Sequence, residues 1–406
     1  MSLPPDHRAV ITGRGALSPF GTGVPALWRG LIDNRSALRS IELESPAGRR
    51  RALAGAVPDF DPRQALSPAE CRRFDRITQF AVTAAREALA DARLDPAALD
   101  STRMGVIVAT SLGGMLIGER YQQALHARQP FAARELLHMP YYALATRVAR
   151  AFGARGPVAS PSIACASGTQ AIGMALEYIR SGQGDVFIVG GAETLCEFVV
   201  SGFGCLRALT TDVVRPFDAR RNGLLLGEGA AILIIESLAH ARRRGIDANV
   251  EVAGSGLAGD AVHMTAPARD GAGAARAMRA ALDDAEITPM QIDFISAHGT
   301  GTVYNDAMEI AAIEAVWGAQ AGAVPVNSIK GAIGHTLGAA GSFEAIMCVD
   351  VLRRGIIPPT AGCRDLEPHC RVDVVRDEAR HRPVRVALST SSAFAGNNAA
   401  IVLRAI

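Results

Sequence analysis

The chain has almost no lysine: of its 42 basic residues all but one, Lys330, are arginine. A sequence that writes a planar guanidinium everywhere else and a compact ammonium here marks position 330 as a place where three rotatable donors are wanted. Other features are missing too. No apolar run approaches the ~18 residues that span a bilayer, and no leader pattern occupies residues 1–11, so the sequence predicts a cytoplasmic chain without membrane insertion. The seven cysteines (Cys71, Cys165, Cys196, Cys205, Cys348, Cys363 and Cys370) are odd in number and never spaced C-x-x-C. Neither a disulfide framework nor a zinc site is indicated, and free thiols are the default. A net charge of +2 gives no bulk attraction for nucleic acid. Local basic clusters at 49–51, 72–73 and 242–244 could still meet an acidic partner. The first Gly-rich turn lacks G-x-G-x-x-G, so dinucleotide binding has little support.

What is present is the composition of a globular protein, 49% hydrophobic and 20% charged, over 406 residues, enough for two domains of about 200 residues each. Apolar runs at 8–13, 104–110, 185–191 and 230–236 read as buried strands, the first opening into the Gly-rich loop G-A-L-S-P-F-G. They alternate with helical patterns such as 73–92, which predicts an α/β fold with substantially parallel strands. A weak repeat is visible. A-I-G-M-A-L-E-Y-I-R-S-G from Ala171 is echoed by A-I-M-C-V-D-V-L-R-R-G from Ala345, and V-I-T-G-R-G from Val10 by V-A-G-S-G from Val252. Two similar halves, 1–247 and 248–406, would bring loops from both to one site.

The chemistry gathers in Gly- and Ala-rich turns. Cys165 precedes apolar positions Ala171, Ile172, Ala175, Leu176 and Ile179, one face of a helix, and so stands at a helix N-terminus. Unpaired N–H groups and the helix dipole there favour an anion, so the thiol is expected to ionise below its free value of about 8.5. A short strand at 292–296 delivers A-H-G-T-G-T with His298, and N-S-I-K-G-A-I-G-H-T-L-G-A-A-G carries Lys330 and His335. Singly, each histidine could be a packed core residue and each Gly-rich turn a phosphate cradle. One thiol, two imidazoles and the solitary ammonium form a more specific set, suited to a covalent acyl intermediate.

The segments I-A-C-A-S-G-T-Q-A-I-G, A-H-G-T-G-T and N-S-I-K-G-A-I-G-H-T-L-G-A-A-G resemble the three signatures of the β-ketoacyl-acyl carrier protein synthases with a Cys-His-His triad, in the thiolase-like superfamily. Segments R-P-F-D-A-R-R-N-G-L-L-L-G-E-G-A, D-V-F-I-V-G-G-A-E and D-A-V-H-M-T-A-P extend the resemblance over nearly the whole chain. It implies a thiolase-like fold of two pseudo-symmetric halves layered α-β-α-β-α. The implied reaction is decarboxylative Claisen condensation of a Cys165-bound acyl chain with malonyl-acyl carrier protein, in fatty-acid, polyene or polyketide elongation. In that scheme His298 and His335 stabilise the enolate, Lys330 orients them and Glu309 supports them. Phe394 gates the acyl pocket and supplies an oxyanion N–H with Cys165, Thr300 and Thr302 contact the pantetheine, and Leu112 lines the acyl pocket. Arg72, Arg73 and Arg207 dock the acyl carrier protein, whose phosphopantetheine carries the substrate, and no metal or bound cofactor is needed. A homodimer is implied, with a heterodimer alongside a related chain as the variation.

The chain departs from the family pattern at Ser392-Ala393-Phe394-Ala395-Gly396-Asn397-Asn398, where an aromatic has become Ser and two glycines Ala. Loss of glycine's φ > 0 freedom predicts a stiffer or differently shaped gating loop, and with it a dedicated pathway in place of ordinary fatty-acid elongation. Two other readings compete: a coenzyme A-dependent thiolase, which would place a second cysteine near His335, and a non-catalytic or chain-length partner subunit, which would have no need of Cys165, His298, Lys330 and His335 together.

Overall fold

The computed structural model describes residues 7–45, 48–368 and 370–406. Eleven strands follow one path through the main sheet: β1 (Ala9–Ser18), β2 (Met104–Ala109), β3 (Val158–Ala159), β4 (Val186–Glu193), β5 (Gly229–Ser237), β6 (Val250–Gly259), β7 (Phe294–Ser296), β8 (Pro325–Asn327), β9 (Asp373–Val374), β10 (Val386–Ser392) and β11 (Asn397–Ala405). The spatial order is β9-β8-β7-β10-β11-β6-β1-β5-β4-β2-β3, and the strand at Gly21–Thr22 pairs with β1 off this path.

The order contains the repeat. Outward from β1, the pairs β1·β5 and β5·β4 are antiparallel and β4·β2 and β2·β3 parallel. Outward from β6, β6·β11 and β11·β10 are antiparallel and β10·β7 and β7·β8 parallel. The half-sheets join only where Ala9 and Val10 face Val252 and Glu251. Continuous apolar runs in β1, β4 and β5 report burial on both faces and say nothing of direction: β1 and β5 are antiparallel to every neighbour, against the expectation of parallel strands, while β4 is antiparallel to β5 and parallel to β2.

Helices α1 (Arg76–Asp91), α2 (Ser167–Arg180), α3 (Ala272–Asp284), α4 (Val303–Trp317) and α5 (Ala340–Arg354) complete the layers. A central core joins α2 and α5 to both half-sheets, a second packs α1 against the first half-sheet, and a third packs α3 and α4 against the other. The helix predicted from 73 is broken there: Arg73 ends a separate helical turn, Pro68–Arg73, capped by Ser67 and Glu70, and extended Phe74 and Asp75 separate it from α1. Most of the predicted Gly-rich loop is strand: β1 runs on to Ser18, and only Pro19 and Phe20 turn before the strand at Gly21–Thr22. A Cβ at Gly13 would stand 2.1 Å from the Ala88 carbonyl and one at Gly15 2.0 Å from that of Ala84, so these glycines let α1 lie directly on β1. Among the described residues no helix is long and apolar enough to cross a membrane.

The parallel strands β7, β8 and β10 all end at the same edge, and their following loops carry His298, Lys330 and Phe394. The turn before α2 carries Cys165 to meet them.

Candidate active site

Cys165 lies in a tight turn two residues ahead of α2. Ala164 holds φ at +52°, a left-handed conformation that costs a non-glycine residue about 1 kcal/mol or more. Ser167 fixes it: its hydroxyl donates to the Ala164 carbonyl (2.5 Å) and accepts from the Ile163 N–H (2.8 Å). The turn aims Sγ at His335, whose Nε2 is 3.0 Å away. His335 is set by its backbone, its N–H donating to the Leu225 carbonyl (2.7 Å) and its carbonyl accepting from Gly227 (2.9 Å). His298 stands edge-on to His335, ring centroids 5.0 Å apart and planes at 84°, and the Cys165, His298 and His335 ligand atoms lie within 4.8 Å of one another.

The thiol differs from expectation. Burial pushes Cys165 up to about 12, with the Lys330 ammonium pulling the other way. At 6% exposure the sulfur has lost the hydration a thiolate needs, and that loss outweighs the helix terminus. The one side chain within hydrogen-bond distance of the thiol is His335. Burial, then the Lys330 charge, holds both imidazoles well below the usual histidine range, so both are neutral.

Behind the imidazoles sits a buried polar frame. Lys330 is 1% exposed, and its Nζ lies 2.5 Å from the His298 carbonyl and 2.5 Å from Oε1 of Glu344, on α5. Glu309, on α4, accepts the His298 N–H (2.7 Å) and the Gly299 N–H (2.6 Å), and burial pushes its carboxyl up to about 7. Asp306, one turn earlier, gathers the N–H groups of Phe217 (2.8 Å), Thr300 (3.0 Å) and Gly301 (3.1 Å). Glu344 and Asp306 went unpredicted. Asp306 could have been found from its i, i+3 spacing to Glu309, whereas Glu344 has no local signal beyond being an acid in an apolar helix.

Cys165, His298 and His335 line a cavity of about 310 Å³, together with Thr300, Thr302, Phe394 and Arg207. The Thr300 and Thr302 hydroxyls are 2.9 Å apart. Phe394 stacks on Phe203, centroids 5.5 Å apart and planes within 20°. Ala395 takes up φ +62° in spite of its Cβ. The loop thus keeps a glycine-like path under strain, tied by the Ala395 N–H to the Met264 carbonyl (2.7 Å) and by Asn398 Nδ2 to Asp260 (2.7 Å). Cys165 is the only cysteine lining this cavity among the described residues. Leu112 does not line it, packing instead in an apolar cluster with Cys165, Leu195 and Leu337. Arg72 and Arg73 lie apart, on a cavity of about 740 Å³ shared with Arg120, Arg134 and Arg147.

Comparison with known proteins agrees with this geometry. The family model for the β-ketoacyl synthase N-terminal domain matches residues 6–241, and that for the C-terminal domain residues 250–364. The tetracenomycin polyketide synthase ketoacyl synthase alpha subunit of Streptomyces glaucescens is 39% identical over 99% of this chain and 98% of its own. The 3-oxoacyl-[acyl-carrier-protein] synthase 2 of Staphylococcus aureus (strain COL) is 38% identical over 98% of both chains. A chain of the solved ishigamide ketosynthase/chain length factor superposes with a TM-score of 0.91 at 39% identity, covering 98% of this chain and 99% of that one. The two family models, which together span most of the sequence and meet in one buried Cys-His-His group, establish that the chain belongs to the β-ketoacyl synthase family.

Proposed function

We propose that this acyltransferase condenses a Cys165-bound acyl chain with malonyl-acyl carrier protein, releasing carbon dioxide and a β-ketoacyl-acyl carrier protein. The observation that carries the reading is the contact of 3.0 Å between Cys165 Sγ and His335 Nε2 inside a cavity that His298 also lines. In the first half-reaction the Cys165 sulfur forms a bond to the acyl carbon, the carrier thioester bond breaks, and the thiol proton ends on the departing pantetheine sulfur. Backbone N–H groups of Cys165 and Phe394 receive the oxyanion. In the second, the malonyl carbon–carboxyl bond breaks. The neutral imidazoles of His298 and His335 donate to the thioester oxygen as enolate charge develops there, and the enolate carbon displaces Cys165 from the acyl group. Lys330 and Glu309 hold the His298 loop in place, and Thr300 and Thr302 take the pantetheine.

The remaining assignments rest on the same reading. Leu112 would face the acyl chain, since it packs in one cluster with Cys165. Exposed Arg72, Arg73 and Arg207 would receive an acidic carrier protein, whose phosphopantetheine is the only prosthetic group involved. The halves would divide at 247/248, in the cytoplasm, and the chain would pair with itself or with a chain-length partner, as the ishigamide pair is named. Kinship with both a polyketide and a fatty-acid synthase leaves specialised elongation as the pathway the altered gating loop favours.

Intact-protein mass spectrometry after exposure to a panel of acyl carrier thioesters tests this. One acyl group is expected on the parent and none on Cys165→Ser. Acylation or selective alkylation of Cys196 or Cys205, with activity dependent on that residue, would overturn it.

A further inference from the structure

One buried carboxylate beside this site has no part in the chemistry so far. Glu193 closes β4 with no solvent exposure, and its Oε1 accepts from two loops that belong to different halves of the chain. One donor is the N–H of Ser111, in the turn after β2, and the other is the N–H of Gly338 (3.2 Å), three residues beyond His335. The Thr110 hydroxyl and the Leu112 N–H, from the same turn as Ser111, also act on this carboxyl, while the Ser111 hydroxyl is buried without a hydrogen-bond partner among the described residues.

The packing at that point leaves no slack. A Cβ on Gly338 would stand 2.6 Å from the Ser111 nitrogen and 2.7 Å from Glu193 Oε1. From the other side, a Cβ on Gly168, in the first turn of α2, would stand 2.9 Å from the Gly338 carbonyl oxygen. A Cβ on Gly191, two residues before Glu193, would meet the Gly338 carbonyl at 2.8 Å. The Gly338 turn is therefore clamped between the nucleophile's own helix and the end of β4. Leu337 and Leu112, which flank Gly338 and Ser111 in sequence, both pack in the apolar cluster that contains Cys165.

We propose that Glu193 is a positioning residue for the acylation step: by holding the Ser111 and Gly338 turns on one oxygen, it fixes the His335 loop against Cys165. The inference rests on the acyl-transfer reading above. A hydrogen bond from each half to one buried acceptor sets the distance between the thiol and its imidazole, and displacement by about 1 Å in such a site can cost on the order of a hundredfold in rate. Burial also pushes the Glu193 carboxyl up to about 7. A neutral isostere is thus a fair replica, and a full negative charge there would oppose the Cys165 thiolate.

The experiment compares Glu193→Gln, which keeps an oxygen acceptor, with Glu193→Ala, which removes it. Single-turnover acylation of Cys165 from an octanoyl carrier thioester is followed by mass spectrometry, per folded molecule, with thermal melting as the control. Glu193→Ala is expected to lose tenfold or more in the acylation rate constant with little change in the half-saturating carrier concentration, and Glu193→Gln to stay within threefold of the parent. A merely structural acid would lower the melting temperature and leave the rate per folded molecule alone. Should Glu193→Ala not fold, Glu193→Asp, whose shorter arm cannot span both turns, is expected to lose the same tenfold. An alanine or aspartate variant within twofold of the parent, or a glutamine variant as slow as alanine, overturns the inference. A parent that takes up no acyl group at all overturns the proposed function instead, so the two failures are distinguishable.

Discussion

Lys330 and Glu344 meet as an ion pair sealed from water: Nζ lies 2.5 Å from Oε1, and neither side chain is more than 2% exposed. Such a pair adds little net stability over an apolar one, but removing one partner strands a charge. Glu344→Leu is expected to destabilise the chain by about 3–5 kcal/mol. Urea unfolding measures it, and the double replacement Lys330→Met with Glu344→Leu should recover most of the loss. A single-variant loss below about 1 kcal/mol would show that Lys330 does not depend on this partner.

The histidines make a prediction about acid. In the folded chain His298 and His335 are held well below 6.5, whereas the unfolded chain takes up a proton on each near that value. Below pH 6.5 the unfolded state therefore binds more protons at these positions, and they weaken the fold as pH falls, each by up to about 1.4 kcal/mol per pH unit. Glu193 and Glu309, both pushed up to about 7, act in the opposite sense between their ordinary 4.5 and 7, because there the folded state holds the extra protons. The parent alone would blur the two effects. The difference between His298→Gln and parent isolates one: it should shift in the variant's favour by about 1.4 kcal/mol per unit below pH 6.5. Neither imidazole should contribute an inflection near 6.5 to malonyl decarboxylation, so an inflection between 6.5 and 7 in the parent that is lost in Glu309→Gln belongs to the carboxyl and one that persists in Glu309→Gln and Glu193→Gln would contradict the neutral imidazoles.

Ala395 gives a third test, in the gate. At φ +62° its Cβ is strained by roughly 1–2 kcal/mol, while glycine would relax that strain and cost about 0.5–1 kcal/mol in chain entropy. Ala395→Gly should therefore leave the melting temperature unchanged or raise it slightly. Ala395→Val, β-branched in the same conformation, should lower stability by about 2 kcal/mol. Equal stability of all three would mean that the loop leaves the left-handed region in solution.

What the sequence disclosed and what it hid follow from the range of each signal. Cys165, His298, Lys330 and His335 stood out because reactive side chains in Gly- and Ala-rich turns are locally unusual, and the fold brings all four together. The repeat was legible in two short segments, and strand order bears out two similar halves. Strand direction was not, because β1, β4 and β5 are buried on both faces and their apolar runs carry no orientation. Gly15 reads as loop because a glycine that admits a helix looks, in sequence, like one that makes a turn. Glu193 and Glu344 were invisible for a different reason. Glu193 is the single acid of an apolar strand and Glu344 one of two acids in a buried helix, and their partners are 82 and 145 residues away for the first and 14 for the second.

The solitary lysine supports the last prediction, that Lys330→Arg impairs condensation far more than it impairs stability. The ammonium sits between the His298 carbonyl and Glu344 at 2.5 Å from each, at the head of a four-residue helix, Lys330–Ile333, whose every residue is buried. Its neighbour Gly331 has no space to move, since a Cβ there would fall 1.8 Å from the Ala361 carbonyl. A guanidinium is wider and planar, cannot rotate three donors about one atom, and would have to push the His298 loop outward to fit. Charge and the Glu344 pair would survive, so the chain should still fold, with a loss of about 1–3 kcal/mol from overpacking. The His298 carbonyl would move, and with it the imidazole that faces the malonyl thioester. Decarboxylation is expected to fall by about a hundredfold and acylation of Cys165, set by the Ser167 turn and His335, by much less. The two half-reactions are measured separately on the purified variant, with thermal melting alongside. Parent-like rates in both would show that any cation of either shape serves at position 330, and that the scarcity of lysine carries no chemical meaning.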